Sequence, residues 1–293
     1  MPADAAFGRG DHRGWTGLGY LPVEKFGIKR GGLRSVAAAD FKVDHGICHA
    51  EIIAEVIHSH NPMTALLEVF YQPGKVFASL PGRSWVWVLP LILDILLIML
   101  QTWAVPHYMG RENIARQQME TFARNLSPEQ MQAAVARANS PAQIYIGLAS
   151  AALGTTVILL IIAGGLMAFG MMTSGAPKFG AMFSMVTLAY FPYWLIVVAM
   201  SVMVLMISPD PASLDWRNLL ATNVGAFMNK NETSKGLYSL MGSIDILSFA
   251  EIGLLALGFS KLTRAKFGFG LAAVLVLWVF YVLGKMGFSM VFG

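Results

Sequence analysis

Two carboxylates stand inside a segment that is otherwise apolar. The stretch YSLMGSIDILSFAEIGLLALGF, Tyr238 to Phe259, is long enough to cross a bilayer and carries Asp245 and Glu251. A charge at the centre of a membrane helix costs roughly 2.5–3.5 kcal/mol on insertion scales. Such a side chain faces protein, water or a ligand rather than lipid. Six helical residues set the two carboxylates about 120° apart around the axis, with Ser248 between them. Asp94 stands in a second apolar run and Lys285 in a third. At similar depth, Asp94 and Glu251 could share a proton. Asp245 and Lys285 could form an ion pair near one interface. The alternative is that Lys285 reaches water while Asp245 caps its own helix.

A different chemistry is offered by HGICHAEIIAEVIHSH, which gathers His45, Cys48, His49, Glu51, Glu55, His58 and His60. These are metal-ligating types, but their spacing matches no zinc signature, so we expect no metal site there. The chain contains no G-x-S-x-G, no P-loop and no H-E-x-x-H, and no nucleophile stands beside an oriented base. We therefore expect neither an enzyme nor a cofactor.

Composition sets the class of element that must position these groups. With 56% hydrophobic and 13% charged residues, the chain reads as an all-α integral membrane protein. The single cysteine excludes an internal disulfide framework. A net charge of +4 fits loop bias in a membrane protein better than nucleic-acid binding. The expected lipid-facing partner is the bilayer, with cytoplasmic proteins or a second copy as further candidates and no nucleic acid.

Residues 1–60 are glycine-rich and charged, and read as a disordered cytoplasmic tail or an over-extended start. Residues 61–293 form the membrane domain. Asn61-Pro62 is a helix start, and Pro73-Gly74 breaks the segment up to Arg83 into two short helices. These either lie on the membrane surface or pack beneath the first span. Five spans are expected at about 84–105, 144–172, 182–208, 239–260 and 269–291. Between the first two, Ser127-Pro128-Glu129-Gln130 is a capping box. In the second span, Gly147, Ala151, Gly154, Gly164, Gly165 and Gly170 suit close helix packing. Pro192 is expected to kink the third. Asn231-Glu232-Thr233 fits a glycosylation sequon, a pattern short enough to arise by chance.

The two short connections carry Lys178, Lys261, Arg264 and Lys266 without any acid, whereas cations in the long ones are diluted by acids. The positive-inside rule then places the amino terminus in the cytoplasm and the carboxyl terminus outside.

NPMTALLEVFYQPGKVFASL running into WVWVLPLILDILL resembles bacterial members of the Yip-one domain family, the Ypt/Rab-interacting membrane proteins. So does the end of the chain, MGSIDILSFAEIGLLALGFSKLTRAKFGFGLAAVLVLWVFYVLGK. The resemblance spans roughly residues 61–293. Its sharpest piece is Ile244-Asp245-Ile246-Leu247 followed by Gly253, Gly258, a basic turn and Lys285. It implies five spans with a cytoplasmic amino terminus in the inner membrane. With no catalytic constellation, the first functional expectation is a non-enzymatic scaffold of the Yip type that recruits partners through surface helices and basic loops. The alternative is a transporter or channel for protons, ions or small solutes, using Asp94 and Glu251.

Overall fold

The computed structural model describes residues 62–83, 85–122, 127–175, 177–229 and 232–292. The tail 1–60 with its histidine and cysteine cluster, Asn61, and Asn231 of the sequon lie outside them. Ten α-helices follow one another among the described residues: α1 Pro62–Glu68, α2 Pro73–Ser79, α3 Val88–Met109, α4 Arg111–Phe122, α5 Pro128–Ala138, α6 Pro141–Gly170, α7 Phe179–Ile207, α8 Lys235–Met241, α9 Ile246–Thr263 and α10 Phe267–Phe292. Five of these, α3, α6, α7, α9 and α10, are long and apolar enough to cross a membrane. The protein is an all-α, multi-pass membrane protein.

Local chemistry accounts for most helix limits. Pro73 and Pro141 open α2 and α6 from the first turn, where a missing N–H costs nothing. The capping box before α5 is complete: Gln130 N–H donates to Ser127 Oγ at 3.2 Å and Ser127 N–H to Gln130 Oε1 at 3.0 Å. Gly110, at φ 83°, ends α3, and Arg264, at φ 58°, ends α9 in the left-handed conformation.

Several span limits move from the sequence expectation. The first span begins at Val88, because residues 85–87 form a turn, and runs on through Pro106 to Met109. The fourth expected span, 239–260, is not one helix. α8 stops at Met241, four residues intervene, and α9 runs from Ile246 to Thr263. The interruption is held by backbone pairing with the preceding loop: Val224 N–H donates to Ile244 O at 3.1 Å and Ile246 N–H to Thr222 O at 3.3 Å. A continuous helix would forfeit those bonds. Pro192 sits inside α7 without dividing it.

The main apolar core gathers at the end of the bundle that carries α1 and α2. Phe77 and Leu80 meet Met182, Met185 and Val186 of α7 and Ala256 and Phe259 of α9, each of them fully buried. Thus α2 packs into the bundle rather than lying across its surface. α1 is divided, burying Ala65 and Leu66, with Val69 buried just past its end, while Met63 and Leu67 stay exposed. A smaller core of Val105, Met109, Ile114 and Leu205 closes the opposite end, beside Trp216.

Close helix approaches use glycines of the last two spans. A Cβ on Gly258 would sit 2.7 Å from Met185 Sδ, and one on Gly270 would sit 2.6 Å from the Ala256 carbonyl oxygen. On α6, Gly165 meets Leu277, whereas Gly154 and Gly164 face open space. The expected small-residue packing face of that helix is therefore only partly used.

Candidate functional site

Two contacts set the register of the three helices around Asp94 and Glu251. Trp87 N–H, just before α3, donates to Ser184 Oγ of α7 at 3.2 Å. Gly258 of α9 lies against Met185 of α7. Seven residues onward in α3 and α7, and seven backward in antiparallel α9, advance each helix by about 10 Å. That step brings Asp94, Phe191 and Glu251 to one level. The electrostatics agree, since the Glu251 carboxylate acts on Asp94.

Asp94 is fully buried, and neither carboxyl oxygen has a hydrogen-bond partner among the described residues. Glu251 is better served, accepting a hydrogen bond from the Tyr190 hydroxyl of α7. One turn further along the same helices, the hydroxyls of Tyr193 and Ser248 are hydrogen-bonded. Asp245 lies beyond them, within electrostatic reach of both Glu251 and Tyr193. Polar groups thus run from the start of α9 to the middle of the bundle.

Asp245 itself is not on the helix that carries Glu251. It is the N-cap of α9, its Oδ1 accepting the Leu247 N–H at 2.9 Å. The 120° separation expected for one continuous helix therefore does not describe this pair. Nor does Asp245 pair with Lys285, whose Nζ donates to Ser243 Oγ at 3.0 Å. The level was foreseeable, because reflecting Lys285 through the Lys261–Lys266 turn lands near Gly242. The capping of its own helix by Asp245 is the alternative set against the ion pair, whereas Ser243 as the partner of Lys285 was not foreseen.

Lys178, Lys261, Arg264 and Lys266 are all exposed. The Lys261 stem also passes over Gly74 of α2, whose added Cβ would lie 3.5 Å from Lys261 Cε.

Tyr190 and Tyr193 were missed from the sequence. They sit three residues apart around Pro192 in an apolar run, so their hydroxyls share one helix face, and that spacing was the available signal. A second polar group was also unforeseen, in the long connection between α7 and α8. Asn218 Nδ2 donates to the Tyr238 hydroxyl, which donates to Asp215 Oδ2 at 3.3 Å. Asn223 Nδ2 donates to Asn218 Oδ1 at 3.1 Å. Burial, and then Asp215, push the Tyr238 phenol above its ordinary range, while burial lowers the Arg217 guanidinium against the pull of Asp215.

Comparison of the chain with protein-family models, with curated proteins and with solved structures returns no match in any of the three. The fold itself defines a class: a multi-pass membrane protein with a carboxylate pair inside its helix bundle.

Proposed function

We propose that this protein carries protons across the membrane through the Asp94–Glu251 centre. The observation that supports the reading is Asp94, a fully buried carboxyl group without a hydrogen-bond partner that lies within electrostatic reach of a second carboxyl group. Burying such a group unbonded costs roughly 1–3 kcal/mol, which a merely structural position would shed by substitution. Two neighbouring carboxyls in a medium of low dielectric hold one proton between them. Glu251, oriented by Tyr190, exchanges that proton with Asp94. Tyr193 and Ser248 extend hydroxyls toward the N-terminus of α9, where Asp245 marks the outer port.

The setting is an inner, cytoplasmic membrane with the amino terminus inside. A membrane-impermeant maleimide should then label Cys48, the only cysteine, after cells are opened and not before. Labelling of intact cells would reverse the orientation.

For the function itself, the full chain is reconstituted in liposomes loaded with a pH-sensitive dye, and proton entry is driven by a valinomycin potassium potential. Wild type should acidify the lumen well above protein-free vesicles. Glu251→Gln should fall to the protein-free rate with an unchanged melting temperature in detergent. A wild type no faster than empty vesicles, or a fully active Glu251→Gln, would sink the proposal.

A second reading, a Yip-type scaffold, has its own support in the exposed cations Lys178, Lys261, Arg264 and Lys266 and in the resemblance to that family. It becomes the better account if the vesicles show no flux and the native membrane yields a stoichiometric cytoplasmic partner.

A further inference from the structure

At the end of the bundle opposite α1 and α2, a cavity of about 430 Å³ opens between the last turns of α3, the first turns of α6, and α4. Its walls include Gln101, Trp103, Arg111, Gln118, Gln143 and Trp216. Its size falls within the roughly 300–1,000 Å³ common for small-molecule sites. Two of these side chains carry a buried polar atom with no hydrogen-bond partner among the described residues: Gln101 Oε1, an acceptor, and Trp216 Nε1, a donor. Buried polar atoms are rarely left unpaired, so each calls for a partner of opposite kind.

The charge at this cavity is equally one-sided. Arg111 is exposed and makes no ion pair among the described residues. The neighbouring Glu112 is taken by Arg116 at 2.6 Å. A cation, an N–H donor and a separate acceptor therefore line one opening. The depth is interfacial, since Trp103 is 46% exposed and Tyr145, at the start of α6, is 73% exposed. Below them, α6 presents Ile146, Leu153 and Val157 outward, an apolar track on which acyl chains can lie.

We propose that this cavity binds the headgroup of a phospholipid that carries both an anionic phosphate and a hydrogen-bond donor. The phosphate oxygens sit toward Arg111 and accept from Trp216 Nε1. The hydroxyl or ammonium of the headgroup donates to Gln101 Oε1. Phosphatidylglycerol and phosphatidylethanolamine meet both demands. Phosphatidylcholine has the phosphate but no donor. The site is separate from the Asp94–Glu251 centre and stands whether or not that centre moves protons.

The test uses the full chain, delipidated in detergent and mixed with each lipid in turn, with bound lipid read by native mass spectrometry. Phosphatidylglycerol and phosphatidylethanolamine should be retained at least tenfold more than phosphatidylcholine. Arg111→Gln and Trp216→Phe should each cut that retention several-fold, and Arg111→Gln should leave the melting temperature of the lipid-free protein unchanged. Trp216→Phe removes the unbonded donor and trims a ring that packs beside the small core, so Arg111→Gln, which removes no core packing, carries the test if Trp216→Phe loses stability. Glycerol 3-phosphate, a soluble source of the same phosphate and hydroxyl, should compete weakly. Equal retention of phosphatidylcholine, or variants that hold lipid as wild type does, would overturn the site. Glycerol 3-phosphate binding as tightly as the lipid would overturn the lipid as its occupant.

Discussion

Asp94→Val is expected to raise the melting temperature of the protein in detergent and to abolish proton flux in the same preparation. The stability gain comes from burial. Asp94 is 0% exposed with both carboxyl oxygens unbonded. Valine removes an unsatisfied polar group and fills a similar volume with apolar atoms. The expected gain is roughly 1–3 kcal/mol, the usual cost of a buried polar group left without a partner. Flux is lost because Glu251 would then have no second carboxyl with which to exchange. Asp94→Asn serves as the control: it keeps the shape, gains little stability and still abolishes flux. A melting temperature lowered by Asp94→Val would mean that the carboxyl makes a bond that holds the bundle together. The trade between stability and function would then disappear.

Gly270→Leu should have the opposite sign and a larger size. A Cβ at this position would come within 2.6 Å of the Ala256 carbonyl oxygen and 3.3 Å of Phe259 Cδ1. The first obstacle is backbone, so relief requires α9 and α10 to separate. That separation would also loosen Phe259, which lies fully buried in the main core against Phe77 and Met185. Overpacking of a closed core costs typically about 1–3 kcal/mol, and a clash with backbone belongs at or beyond the upper end. Gly154→Leu is the matched control, since nothing lies within 4 Å of the position its Cβ would take. Thermal unfolding followed by fluorescence-detected size exclusion compares the two. Indistinguishable melting curves would show that α9 and α10 are not held at this distance.

The second expectation concerns a residue whose importance no local pattern reveals. Gly270 is one of many glycines in the chain, and the second span, α6, displays a more conspicuous series. The glycines that matter are those whose faces meet another backbone. That depends on how helices are rotated, and rotation is settled by all neighbours at once. Gly154 and Gly258 look alike in sequence and differ only in what stands opposite.

The break before α9 has a similar origin. Tyr238 to Phe259 is apolar enough to read as one span, and Gly242 alone is too weak a signal to divide it, since membrane helices commonly contain glycine. What divides it is a partner in the chain: Thr222 and Val224, some 20 residues earlier, supply backbone bonds to Ile246 and Ile244. Once α9 starts at Ile246, Asp245 becomes a cap and Lys285 is left to Ser243. The ion pair was the right level and the wrong partner.

The class, the five apolar helices and the approximate level of every ionisable group inside them were legible along the chain. Each rests on quantities that act locally: the length an apolar run needs to cross hydrocarbon, the cost of charge there, and a rise of about 1.5 Å per residue. The capping box at Ser127 and the proline starts of α2 and α6 were legible too, because those bonds close within one helical turn. Packing in three dimensions was needed to bring Asp94 to Glu251 and Tyr190, to keep Asp245 and Lys285 apart, and to join Gln101 and Trp216 at one cavity. Those outcomes turn on the azimuth of each helix about its own axis. An apolar helix carrying one or two polar residues can take many azimuths at nearly equal cost in lipid. Contacts such as Trp87 with Ser184, Gly258 with Met185 and Gly270 with Ala256 select one of them.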